Sequence, residues 1–257
     1  MTTSVSTPTD TTVGTAYYVY GIVPANASVE ALGDSLGMGE GVELLTDGPV
    51  AAVVERIDAD QPLGRRKHLV AHSEVVNAMA VLGPVLPMRF GAVVDGPDAV
   101  VDELLAPQAE QFEALLSESA DTLQLNIRAR YVLDTVLAEV VGSEPEIAEL
   151  RRRTAELSEE AGHSARVRLG ELVAKAVESR RVADEQMILD RLAPYAEDHV
   201  TKRTSGMDGL TELSFAVRRN GEARFAEVAE ALAEEMDGRA RISLVGPMAL
   251  YDFVPEA

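Results

Sequence analysis

The chain has 257 residues, no cysteine, 46% hydrophobic side chains and a formal charge of −20 from 43 acidic against 23 basic residues. That length suits one large or two small globular domains, and the missing cysteines exclude thiol nucleophiles, thiolate metal centres and disulfides together. The charge opposes contact with nucleic acid or anionic lipid, and no run of about 18 apolar residues offers a bilayer span. A reducing cytoplasm fits the absence of thiols.

Residues Met1–Gly14 are rich in Thr and Ser and lack both a basic start and an apolar stretch, which predicts a disordered tail rather than a signal peptide. Tyr17–Val23 (YYVYGIV) reads as a buried first strand that ends at Pro24. The glycine-punctuated stretch Gly33–Gly41 invites comparison with a phosphate loop. It has no Lys-Ser/Thr ending, and Asp34 and Glu40 would repel phosphate, so it reads as a plain loop. Val42–Leu45 and Val50–Ile57, joined through Asp47-Gly48-Pro49, predict a hairpin. Leu69, Val76, Met79 and Ala80 place a helix over Gly64–Leu82.

Val85–Val94 (VLPMRFGAVV) reads as another strand. Its alternation puts Leu86, Met88, Phe90 and Ala92 on one face, with Val85, Pro87, Arg89 and Gly91 on the other. Pro97 and Pro107 each open a helix, the second reaching about Ser117. Together these elements predict a first α/β domain over residues 15–122, with helices on one face of a sheet.

A second domain, 123–257, begins with the half-buried strand Leu123–Tyr131 and a helix over Val132–Val141. An inserted helical hairpin spans about 144–197. Its arms are Glu144–Ala161 and Ser164–Tyr195, and Gly162 is the terminator between them. Leu210–Val217 alternates as a strand, and Phe225, Val228, Leu232 and Met236 line one helix face. Arg241–Val245 is the closing strand. This order is similar to a ferredoxin-like sandwich. The predicted class is therefore α+β, in two domains, with helices packed on mixed or antiparallel sheets.

No catalytic set emerges. His68 and His72 have the i, i+4 spacing of metal ligands, but Leu69 stands where a zinc protease would need Glu, and no third ligand is evident. They read as surface or interface histidines. No serine lies in a Gly-x-Ser-x-Gly elbow, and carboxylates are too common for any pair to be informative. Arg89 stands out because a guanidinium among apolar strand residues needs a partner, either an internal acid or another protein. Gly246-Pro247 ends the last strand, and Tyr251 and Phe253 follow as aromatics that pack on the core or meet a partner.

Three passages, in order, resemble the gas vesicle protein F/L family (GvpF/GvpL). They are the opening YYVYGIV at Tyr17–Val23, the helix with His68 and Val76 leading into Pro87-Met88-Arg89-Phe90-Gly91, and the close from Leu213–Val217 through Gly246-Pro247 to Tyr251 and Phe253. In that family Gly-Pro is commonly followed by a proline-rich aromatic turn. Here Met248-Ala249-Leu250-Tyr251-Asp252-Phe253 has no proline, which predicts a looser turn.

The resemblance implies a cytoplasmic, vesicle-associated accessory or minor structural protein, with no cofactor and no catalytic residues. Its implied partners are the small hydrophobic shell protein and other accessory proteins, not nucleic acid or a lipid membrane. Pro87, Arg89, Phe90, Tyr251 and Phe253 are the interface candidates. The alternatives are a ferredoxin-like small-molecule-binding or regulatory module using the sheet near Arg89, and a metal-dependent hydrolase built on His68 and His72.

Overall fold

The structure is a computed structural model that describes residues 15–32, 36–39, 41–60 and 62–254. The expected tail at Met1–Gly14 and part of the Gly33–Gly41 loop lie outside the described residues. Contacts divide the chain into two compact units, residues 15–121 with 248–254, and residues 122–247.

The first unit is built around β1 (Thr15–Pro24), which is buried along nearly its whole length. It pairs antiparallel with β3 (Val50–Asp58), which pairs in turn with the edge strand β2 (Val42–Asp47). Gly48-Pro49 closes the β2–β3 hairpin, with Gly48 at φ 54°, a conformation that costs glycine little. On its other side β1 meets two short strands, β4 (Leu86–Pro87) and β5 (Val93–Val94).

Alternation along β1 feeds two separate cores. Ala16, Tyr18 and Tyr20 pack with Val75, Val76 and Met79 of α1 (Arg66–Leu82). Tyr17 and Val19 pack with Val100, Leu105, Phe112 and Leu116 on the opposite face. The register slips between Val19 and Gly21, and this bulge moves Ile22 into the Tyr17 core and Val23 into the Tyr18 core. Helical segments therefore cover both faces of this sheet, not one as the sequence suggested. The reason is that β1 and β3 are apolar on both sides and need two covers.

The second cover is one helical run. It begins as α2 (Pro97–Ala99), passes through a π turn at Val100–Leu105 and a 3-10 turn at Ala106–Gln108, and continues as α3 (Ala109–Glu118). Pro107, which lacks an N–H, falls in the irregular turn.

The expected strand Val85–Val94 is interrupted. The Ala92 N–H donates to the Arg89 carbonyl at 3.2 Å, and Gly91 takes φ 94°, so a turn separates β4 from β5. The turn breaks the alternation. Leu86, Met88 and Ala92 join the α3-side core, whereas Phe90 packs on the α1 side with Val85.

The second unit runs β6 (Thr122–Tyr131), α4 (Leu133–Ser143), α5 (Pro145–Ala155), α6 (Glu159–Leu192), β7 (Asp198–Lys202), β8 (Gly209–Arg218), α7 (Glu222–Glu235) and β9 (Ala240–Met248). The strand order β7-β8-β6-β9 is the ferredoxin-like arrangement, with α4–α6 filling the first crossover. Leu123, Leu125 and Ile127 of β6 and Leu213, Phe215 and Val217 of β8 face one helical layer. Phe225 of α7 lies 5.1 Å from Phe215, ring centre to ring centre. Each such buried side chain contributes roughly 1.5–3 kcal/mol.

Strand β7 has no counterpart in the sequence reading. Its residues DHVTK hold one aliphatic side chain at the sheet edge, so no apolar alternation announces it. The hairpin also breaks earlier than expected, across Glu156–Ser158, where the Ser158 hydroxyl caps α6 by accepting from the Ala161 N–H. Gly162 lies inside the first turn of α6. Arg166 folds over it, within 3.0 Å of where a Cβ would stand, and donates to the Leu157 carbonyl beyond the end of α5. The glycine makes room for a cation at a helix C-terminus.

A polar junction fastens the insert to the sheet. Arg239 reaches Asp184 of α6 at 2.8 Å and Glu139 of α4 at 3.0 Å, and its guanidinium stands 5.8 Å over the Tyr131 ring of β6. The Tyr131 hydroxyl donates to Asp184 at 2.5 Å, and burial together with that carboxylate pushes its pKa up.

The sequence placed residues 248–257 in the second domain, but the described part, 248–254, belongs to the first unit. Ala249 is buried in the β1–α1 core and its N–H donates to the Asn77 side chain of α1 at 3.3 Å.

Candidate interaction surface

The turn carrying Arg89 is tied down from beneath. The Met88 N–H donates to the Tyr20 carbonyl at 3.0 Å, and the Val19 N–H donates to the Ala92 carbonyl at 2.9 Å. Between these anchors the Gly91 N–H donates to the Tyr18 hydroxyl at 3.1 Å, and that hydroxyl lies 2.9 Å from His72 Nδ1. The Tyr18 hydroxyl accepts from Gly91, and its single proton is available to a neutral His72 ring. Phe90 caps the arrangement, 5.9 Å from the His72 ring and 6.2 Å from Tyr18.

Burial holds the His72 pKa below its ordinary value and raises that of Tyr18. Pro87 is half-buried opposite Gly21, and Arg89 is exposed on the turn. At Gly21 an added Cβ would stand 2.7 Å from the Leu86 carbonyl, so only glycine lets β4 approach this closely.

A second polar group lies beside the first. Glu55, buried on β3, accepts from the Tyr20 hydroxyl at 2.5 Å and from the Met38 and Gly39 N–H groups, each at 2.6 Å. Gly37 has φ 107°, and a Cβ there would lie 2.6 Å from the carboxylate. The described part of the glycine-rich loop is thus a cradle of backbone donors, and the anion it holds is an internal side chain rather than a phosphate. Tyr20 packs edge-on to Tyr18 at 4.9 Å and stacks on His72, which joins the two networks.

The C-terminal turn follows Ala249, which is buried in the core beneath α1. The Tyr251 N–H donates to Ala249, and the Phe253 and Val254 N–H groups donate to Leu250, so three backbone bonds close a turn that its missing prolines had predicted to be loose. Tyr251 is partly exposed, and burial of its hydroxyl and the nearby Tyr18 phenol raise its pKa. Phe253 is half-buried. Phe90 therefore lies against Tyr18, and Pro87 and Arg89 sit on the same short stretch of chain as Phe90.

His68 and His72 are both buried, not at the surface as expected. They lie on the inner side of α1, where the sheet covers them. His72 is occupied by Tyr18, and His68 Nδ1 has no hydrogen-bond partner among the described residues. Among the described residues, no three or more His, Asp or Glu side chains gather to hold a metal ion. Sequence reasoning missed Tyr18, His72 and Glu55 as organisers of this surface. Their signal was present as polar atoms inside otherwise apolar segments, each requiring a partner.

These features define a two-unit α+β protein, with a ferredoxin-like second unit and a first unit whose buried polar groups hold exposed turns in place. No described helix is long and apolar enough to cross a membrane. The family described as "Gas vesicle synthesis protein GvpL/GvpF" matches residues 16–255, and the chain belongs to that family. Gas vesicle protein F of Streptomyces sp. (strain CB03234) is 31% identical over 245 residues, covering 92% of this chain and 98% of that one. Gas vesicle protein L of Haloferax mediterranei is 24% identical, over 81% of this chain and 68% of its own. The fold matches the crystal structure of GvpF from Anabaena sp. PCC7120, with TM-score 0.78, 22% identity, and coverage of 95% of this chain and 99% of that one. GvpF from Microcystis aeruginosa matches with TM-score 0.75, at 22% identity over 94% and 99% of the two chains. Membership of this family implies a role in gas vesicle assembly.

Proposed function

We propose that the chain is a non-enzymatic accessory or minor structural component that binds the small hydrophobic gas vesicle shell protein and other accessory proteins in the cytoplasm. The contact is the Arg89 turn, with Pro87, Phe90, Tyr251 and Phe253 around it. One observation carries this reading: an exposed arginine sits on a turn immobilised by Tyr18, His72 and Phe90. A pre-ordered arginine beside aromatics loses little freedom on binding and matches the composition of binding hot spots. A hydrophobic shell subunit also needs a companion before incorporation, because exposed apolar surface aggregates, and an acidic protein keeps such a complex in solution.

The test is co-expression with the major shell protein followed by affinity capture. Wild-type protein is expected to retain the shell protein, and Arg89→Ala to retain it about tenfold less well, as expected for loss of a hot-spot arginine. Failure of soluble wild-type protein to capture it would sink the shell-protein reading. Unchanged capture by Arg89→Ala would remove the contact from this turn.

A further inference from the structure

Helix α1 stands apart from the other described helices in two ways. It opens with Arg65, Arg66 and Lys67, all exposed, and it has no acidic residue in its first turn. Helices α3, α4, α5 and α7 instead begin with Glu110, Asp134, Glu146 and Glu222. Cations at a helix N-terminus face the positive end of the helix dipole. In a chain with 43 acidic residues, these three cations have no ion-pair or hydrogen-bond partner among the described residues.

The second irregularity is apolar. Four of the twelve exposed large hydrophobic side chains among the described residues lie on this one helix: Leu69, Val70, Val81 and Leu82. Lys67, Val70, Glu74, Ala78 and Val81 follow one another at intervals of three and four, so they form a single ridge along the outer side. The C-terminal turn borders that ridge through the Asn77 bond to Ala249.

We infer that the outer face of α1 is a docking surface for an amphipathic helix of a partner protein. The acidic end of that helix seats on Arg65, Arg66 and Lys67, and its apolar stripe covers Val70 and Val81. Charge complementarity fixes the chemistry of the occupant. A nucleic acid or an anionic bilayer would extend its charge over the acidic remainder of a −20 chain, whereas a short acidic segment meets only the local cations, because screening confines the attraction to about 10 Å. The exposed valines call for an apolar stripe, which a polyanion lacks. An antiparallel approach also turns the negative dipole end of the partner helix toward the cations. This surface is separate from the Arg89 turn, and the inference holds whether or not the shell protein is the occupant.

The probe is a synthetic helical peptide with leucines at heptad spacing and three glutamates in its last turn, titrated against the full chain by fluorescence anisotropy. Saturable binding is expected. Joint reversal of Arg65→Glu, Arg66→Glu and Lys67→Glu is expected to weaken it at least about tenfold, with a smaller difference at high salt. Val70→Ser with Val81→Ser, which leaves the charges in place, is expected to weaken it as well. Neither variant should lose the fold, because all five positions are exposed, and the triple reversal, which puts carboxylates at the positive end of the helix dipole, should melt no lower than wild type. Arg89→Ala should bind the peptide normally, which separates this test from the previous one. Absence of saturable binding overturns the inference. So does equal binding of a scrambled peptide, or binding of phosphatidylserine vesicles or single-stranded RNA in its place.

Discussion

The two units bury polar groups in opposite ways. In the first, Tyr18, Tyr20, His72 and Glu55 lie deep between β1, β3 and α1, and their hydrogen bonds run outward to the backbone of two loops. In the second, Arg239, Asp184 and Glu139 stand partly in solvent and join α4 and α6 to the sheet. A sealed network can shape what the surface presents, because its donors and acceptors have no water to fall back on. A half-solvated ion cluster mainly fastens elements together, since water compensates for part of any loss. The first unit is thus organised for presentation and the second for attachment.

Three experiments can break or sharpen that contrast. Glu55→Leu removes the acceptor for the Tyr20 hydroxyl and for two loop amides, and it is expected to cost about 3–5 kcal/mol in urea unfolding. A cost below about 1 kcal/mol would mean that water enters the cradle and that the network is not sealed. Asp184→Ala is expected to cost less, about 1–3 kcal/mol, because Arg239 keeps Glu139 and some solvent. If it proved the more damaging of the two, the assignment of roles would be reversed.

The smallest effect concerns pH. His72 is held below its ordinary value of 6.5, so the unfolded chain takes up that proton first as pH falls. The stability tied to neutral His72 is complete above about 6.5 and is lost as pH drops from there through the folded value, at no more than about 1.4 kcal/mol per pH unit. Denaturation midpoints between pH 7.5 and 5 should therefore fall more steeply for the wild type than for His72→Gln. Parallel curves would show that the ring does not stay neutral in the fold.

Most of the architecture was legible from periodicity. The buried β1, the Asp47–Val50 hairpin, the alternation of β6 and the amphipathic α7 all follow the two- and 3.6-residue patterns. What escaped was non-local or lacked apolar contrast. Strand β7 has one aliphatic residue, and the break before α6 depends on Ser158 as a cap rather than on Gly162. Interruption of the Val85–Val94 strand depends on Tyr18, which bonds Gly91 across 73 positions of chain. Of the candidate surface, Arg89 and the C-terminal aromatics were visible as residues. That Phe90 packs on Tyr18 was not, because the contact joins residues far apart in the chain and leaves no local pattern.

The proportions of α6 have a mechanical consequence. At 34 residues it runs for about 50 Å, yet its fully buried apolar side chains Val177, Ile188 and Leu192 all lie in the half nearer β7. The other half rests on α4 and α5 through the half-buried Leu169, Leu172 and Val173. The helix is held most deeply at the end nearer the sheet, where Asp184 bonds Arg239 and Tyr131, and its other half is held through α4 and α5. A load applied at the α5–α6 tip would reach the sheet by two routes, through α4 and α5 and through the Asp184–Arg239 pair.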